Sequence, residues 1–303
     1  MKVSVNLYAF AQSYMRRAFK ARGFQIRRTT PLDARRSDDT PRDLLLRKSA
    51  TLSRSLVVDV PLSRCRSGLG TALTTRHPFV ATLADGPPAA FSGSVLEAYY
   101  RQCQPASAAE VLGLPEDQAP GLSGLHAHAY TMPWWAGRPD LQKRALWRKR
   151  EAAQYGYQLS ITDGNKNYGP VSLENGELEI LRLTRLYQSM SLHGYQRHDG
   201  VDGDVKGMLL TDAGGNWCVS TRSGQHRVAV AAALGLESIP VRINHAPVKR
   251  EELLYWPQVA EGRISPDGAL VVFDRTMRGD PPPACDFRSD APAAPVTKSS
   301  SPA

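Results

Sequence analysis

The chain lacks any run of 18 apolar residues, which excludes a helical span of a bilayer. It has little cysteine: Cys65, Cys103, Cys218 and Cys285 are the only four in 303 residues, and none form a Cys-x-x-Cys pair. Without such pairs or a secretory signal, free thiols in a reducing cytoplasm are expected rather than a disulfide scaffold. No segment repeats, which sets aside solenoid and propeller folds. Most of the chain also lacks net charge, since residues 67–303 hold 23 Lys/Arg against 24 Asp/Glu. The formal charge of +9 therefore belongs to residues 1–66, where 15 basic residues face 5 acidic ones.

Within that basic end, Val3, Leu7, Phe10 and Tyr14 fall at helical spacing and are followed by Arg16, Arg17, Lys20 and Arg22. A basic amphipathic helix of this kind either lies on an anionic membrane surface or packs on its own protein with its charges in solvent. The first reading makes residues 1–28 a contact with the inner membrane surface. Residues 29–54 show little periodicity and read as a linker or extended arm. Their charge would suit nucleic acid, but interleaved aromatics and a base-reading helix face are missing, which argues against that partner.

Further along, Ser94 to Glu97 and Ser107 to Glu110 are capping boxes that start two helices, the second stopped by Gly113 and Pro115. They define a helical subdomain over 67–155. Tyr130, Trp134, Trp135 and Trp147 form an aromatic group suited to packing or to stacking on a sugar. His126-x-His128 would set two imidazoles on one strand face, but no third ligand has convincing spacing, so no metal site is assigned. Residues 177–194 form the clearest amphipathic helix, with Leu183, Leu186, Tyr187 and Met190 on one face and Gly194 at its end. Glu177 and Glu179 are placed in its first turn, where acidic side chains suit the helix dipole.

The most informative stretch is Ser223-Gly224-Gln225-His226-Arg227, which runs straight into the apolar segment Val228 to Leu234 and then Gly235. Val205 to Leu210, a turn at 212–215 and Asn216 to Ser220 read as a hairpin before it, and Ile239 to Ile243 as a strand after it. Ser223 is expected to cap the helix and Gly224 to let a ligand approach the backbone. The free N–H groups of the first turn would then hold a phosphate, with His226 and Arg227 adding donors. Any helix start uses a cap, however, and a solvent-facing Arg is common, so a plain helix start is the competing reading.

This order resembles the ParB/sulfiredoxin superfamily over about residues 160–245. Gly224, His226, Arg227, Ala231, Leu234, Gly235, Ile239, Pro240 and Val241 fall on the family pattern, as do Leu186, Ser189 and Gly194 in the upstream helix. The resemblance implies a mixed α/β core of the ParB/sulfiredoxin kind within 156–279; charge and periodicity add a basic N-terminal helix and arm (1–66) and two helices closing 156–279, and Pro, Ala and Ser content a disordered tail (280–303). It also implies a bound nucleotide (CTP in ParB, ATP in sulfiredoxin, ADP in a free-serine kinase branch), held here by Ser223, Gly224, Gln225, His226 and Arg227. Sulfinic acid reduction needs a cysteine where this chain has Gln225. The ParB partition proteins follow the core with a DNA-reading helix pair, whereas the helix at 266–277 is largely apolar. Phosphoryl transfer, with Mg²⁺, remains an expectation, as does nucleotide-gated binding without chemistry. Glu177 and Glu179 are the candidate catalytic carboxylates, with Asp163 a weaker one. Tyr168-Gly169-Pro170-Val171-Ser172 and Trp256-Pro257 extend the likeness to a bacterial branch associated with lipopolysaccharide and capsule genes. A kinase or regulator acting on a surface-glycan precursor would suit that likeness and a basic, membrane-leaning N-terminus.

Overall fold

The computed structural model describes residues 31–48, 55–138, 140–197, 203–243 and 246–287. The amphipathic segment at 3–19 and most of the tail lie outside the described residues. The architecture is mixed α and β, built on a seven-stranded sheet. In chain order the strands are β1 (Leu32–Asp33), β2 (Leu56–Pro61), β3 (Cys65–Arg66), β4 (Val205–Thr211), β5 (Trp217–Ser223), β6 (Ser238–Ile243) and β7 (Val248–Lys249). Their spatial order is β1-β2-β6-β4-β5-β3, with β7 also pairing with β4. Neighbours in that order alternate between parallel and antiparallel pairing, starting from the parallel pair β1 and β2. Strand β2 thus joins the sheet along its full length through β6, across the division expected at residue 66.

The hairpin forms where the turn residues place it. Asp212 accepts hydrogen bonds from the Asn216 backbone and side chain, both at 2.9 Å, and Gly215 takes the left-handed conformation the turn requires (φ 83°). Strand β4 lies between β5 and β6 and is buried at every position but Lys206, so its apolar run does not alternate.

The helices are α1 (Pro41–Lys48), α2 (Pro78–Thr82), α3 (Val95–Gln102), α4 (Ala108–Val111), α5 (Leu141–Ala153), α6 (Leu173–His193), α7 (Gln225–Ala233), α8 (Pro257–Ala260) and α9 (Pro266–Arg278). Both capping boxes form: Ser94 and Ser107 accept from the Glu97 and Glu110 amides, and those two carboxylates reach back to the Gly93 and Ala106 amides. One connected apolar core includes Val60 of β2, Leu96 of α3, Val228 of α7 and Phe273 of α9. The 67–155 segment shares this core.

Four expectations are corrected. The segment at 29–54 is not a plain arm, since it supplies β1 and α1, and Leu44 of α1 is buried. Helix α6 starts at Leu173, capped by Ser172, so Glu177 and Glu179 lie in its second turn. Residues 280–287 are placed on the body of the protein, with a 3-10 turn at Pro283–Cys285. Cys285 is joined there to Cys103 by a disulfide with its Cα atoms 4.6 Å apart, so only Cys65 and Cys218 are free thiols. Closing a loop across 182 residues removes on the order of 5 kcal/mol of chain entropy from the unfolded state.

The aromatic group is mostly core. Trp134 and Trp256 are buried and meet edge to face at 5.6 Å, while Phe273 lies 5.3 Å from Trp256, pinning α9 over the 132–135 segment. Trp147 is apart from them and exposed. Among the described residues no helix is long and apolar enough to cross a membrane.

Close approach of α6 to Phe91 gives a test of the packing. A Cβ on Gly176 would stand 2.3 Å from the Phe91 ring, and Phe91 is itself buried. Alanine is favoured over glycine within a helix by about 1 kcal/mol, yet overpacking a core costs about 1–3 kcal/mol. An approach of 2.3 Å to a buried ring sets the cost towards the upper end, so Gly176→Ala is expected to lower stability in urea denaturation by about 1–2 kcal/mol. An unchanged or raised midpoint would refute this packing.

Candidate functional site

The start of α7 is built by a change of chain direction at Gly224. Ser223 is the last residue of β5 and does not cap the helix; the N-cap is Gly224 itself, at φ 85°, with no side-chain hydrogen bond to the first turn. This corrects the expected serine cap. The first helical bond runs from Val228 N–H to Gly224 O, so the amides of Gln225 and His226 precede the ladder.

The three side chains after Gly224 leave in three directions. Gln225 is buried, with its amide nitrogen 3.4 Å from His77 Nε2. His226 turns inward, stacks on Phe79 at 4.8 Å, and meets Glu179 through Nε2 at 2.5 Å. Arg227 donates from Nη1 to Gly203 O at 2.8 Å. The expected cradle, in which His226 and Arg227 both reach one phosphate beside the backbone, is not the arrangement present.

Glu179 is completely buried and holds together a charged cluster. Its Oε1 accepts from Arg148 at 3.2 Å and Arg182 at 3.0 Å, and Glu151 approaches both guanidiniums at the cluster's edge. Burial alone would raise the Glu179 carboxyl, but His226, Arg182 and Arg148 outweigh it and hold it well below the usual carboxylate range. Burial lowers His226 despite the pull of Glu179. Two guanidiniums face two carboxylates, and the imidazole donates from Nε2 to Glu179 Oε2. Glu177, two residues away, is about 200° around the helix and exposed. The two nominated carboxylates thus do not share a site. Asp163 accepts from the Ser160 amide and hydroxyl and shapes the turn before α6.

Beside the start of α7 lies a narrow cleft of about 20 Å³, beyond the carboxyl ends of the parallel neighbours β3 and β5. The loop after β3 supplies Ser67 and Thr71, the start of α2 supplies Arg76 and His77, the turn before α6 supplies Lys166 and Asn167, and α7 supplies Gln225. Asn167 Oδ1 is buried without a hydrogen-bond partner. The lining holds two cations and no carboxylate. His77 caps α2 by accepting from the Phe79 amide through Nδ1, and burial pushes it down to about 3.

Sequence reading found Gln225 but missed Arg76, His77, Lys166 and Asn167. The available signal was Pro78, which marks a helix start immediately after His77. His126 and His128 sit around a 3-10 turn and not on a strand, with His126 Nδ1 capping that turn. Among the described residues no group of three His, Cys, Asp or Glu is placed to hold a metal. No family model, curated protein or solved structure matches the chain.

Two outcomes follow from the buried charges. Glu179→Gln leaves Arg148 and Arg182 with only the half-exposed Glu151 as counter-ion and is expected to cost about 3–5 kcal/mol in urea denaturation at neutral pH. A loss below about 1 kcal/mol would show that the carboxylate is dispensable to the cluster. His77 has a folded value below its unfolded 6.5, so the unfolded chain binds the extra proton and stability falls as pH drops from 6.5 towards about 3. Between about pH 7.5 and about pH 4.5 that loss is on the order of 2–3 kcal/mol. His77→Asn keeps a capping oxygen and does not titrate, so its stability should fall less over the same range by about that amount.

Proposed function

We propose that this protein binds a nucleotide, or a closely similar phosphorylated small molecule, in the cleft at the start of α7. The observation that carries the reading is the uncapped start of α7 opening beside Lys166 and Arg76 in one cleft. Backbone amides at a helix start and two cations suit phosphate oxygens. Asn167 of the lining has a buried Oδ1 without a partner, which a donor from a base or sugar would satisfy. The resemblance to the ParB/sulfiredoxin superfamily points to the same class of ligand at the same turn.

Binding without turnover is the form of this function that the geometry supports best. Phosphoryl transfer needs a carboxylate to orient the attacking hydroxyl, and usually one to hold Mg²⁺. The cleft lining supplies none, Glu179 is committed to Arg148, Arg182 and His226, and Glu177 faces solvent on α6. A kinase acting on a glycan precursor would need a carboxylate from outside this lining. Glu179 is better assigned to positioning His226, and through it the first turn of α7.

Titration of ATP, ADP and CTP into the purified chain tests the reading. Lys166→Glu is expected to weaken binding by tenfold or more, because it reverses a charge in the cleft. Arg227→Ala, whose side chain is held at Gly203, is expected to weaken binding less. If Arg227→Ala abolishes binding and Lys166→Glu leaves it unchanged, the ligand lies elsewhere around the start of α7.

A further inference from the structure

The cleft is bordered on one side by the chain that follows α9. Arg66, buried at the end of β3, donates to Thr276 O and Met277 O at 2.9 Å and so fixes the end of that helix. The chain turns at Gly279, and Pro281 and Cys285 then line the cleft. Cys285 is bonded to Cys103, the residue that ends α3. The next residue, Asp286, places a carboxylate oxygen 3.0 Å from Arg76, one of the two cations of the cleft. Phe287 meets Tyr99 of the lining edge to face at 5.7 Å. An anionic side chain is thus seated on a group that an anionic ligand would use.

We infer that residues 281–287 are a redox-released cover on the cleft, held closed by Cys103–Cys285 and competing with ligand through Asp286. This rests on the proposal that the cleft takes a phosphorylated ligand. The pair Arg76–Asp286 is half exposed on both sides, and such a pair holds little by itself. The covalent link supplies the hold. A dithiol reductant opens it with two electrons: one sulfur attacks the disulfide and forms a mixed disulfide, and the second sulfur resolves it. Cys103 and Cys285 are left as thiols and the reductant as a cyclic disulfide. Cys285 borders the cleft and keeps slight exposure whereas Cys103 has none, so Cys285 is the sulfur a reductant would attack. Release frees Arg76 for ligand and removes the competing carboxylate.

The test compares the full chain, oxidised and dithiothreitol-reduced, by hydrogen exchange at residues 279–287 and by calorimetric titration of ATP, CTP and inorganic pyrophosphate. Reduction should speed exchange across 281–287 and tighten binding by tenfold or more. Cys285→Ser should behave as the reduced form without reductant, and Asp286→Asn, with the disulfide intact, should tighten binding by threefold or more. Unchanged exchange on reduction overturns the cover. Equal affinity in both redox states, with Asp286→Asn matching the parent, overturns the competition. If exchange rises but neither state binds any of the three probes, the cover stands and the nucleotide reading fails.

Discussion

The burial of Glu179 constrains the rest of the structure. A carboxylate with no access to water is tolerable only where charge and hydrogen bonds surround it, and here the partners come from three elements: Arg148 on α5, Arg182 on α6 itself and His226 on α7. Satisfying that one group fixes how α5 and α7 pack on α6. It also draws His226 inward, so that α7 begins at Gly224 with its first amides beside the cleft. The core below is apolar and would accept many sequences of similar volume. The charged cluster accepts far fewer arrangements, which makes it the part of the core that specifies where the helix must start.

Much of the local structure was legible because its causes are local. The turn at 212–215 has its Asp and Gly residues, both capping boxes have their Ser and Glu, and the apolar run after Gly224 has one place to go. Less could be read where neighbours decide. Ser223 looked like a cap because serine before glycine is a common helix start, yet the strand continues through it, pairing with Lys206, and leaves Gly224 in that role. Glu177 and Glu179 looked interchangeable in one dimension, but two residues of helix put one in solvent and the other in the core. The two bonded cysteines are 182 residues apart, and no local signal joins them.

The cleft was illegible for a related reason. Half of its lining comes from residues 67–78 and the rest one or two residues at a time from segments tens of residues away, and none of these forms a motif alone. Arg76 and Lys166 are ordinary surface residues in the sequence, and His77 was one histidine among seven. The motif at 224–227 marked the helix start beside the cleft, but of its side chains only Gln225 lines it, while His226 turns to Glu179 and Arg227 to Gly203. A helix start can be recognised from sequence, whereas the direction in which its first three side chains leave depends on what packs against them.

The sheet also has unusually short margins. Strand β1 pairs with β2 only at Leu56 and Val57, and strand β3 pairs with β5 only at Val219 and Ser220. Beyond the cover of β1, the exposed positions of β2 are Asp59, a charge, and Pro61, a residue with no N–H. Short edges, charges and proline all discourage a foreign strand from adding to a sheet. Among the described residues, continuing the sheet from one copy into the next is therefore disfavoured at the β1–β2 margin.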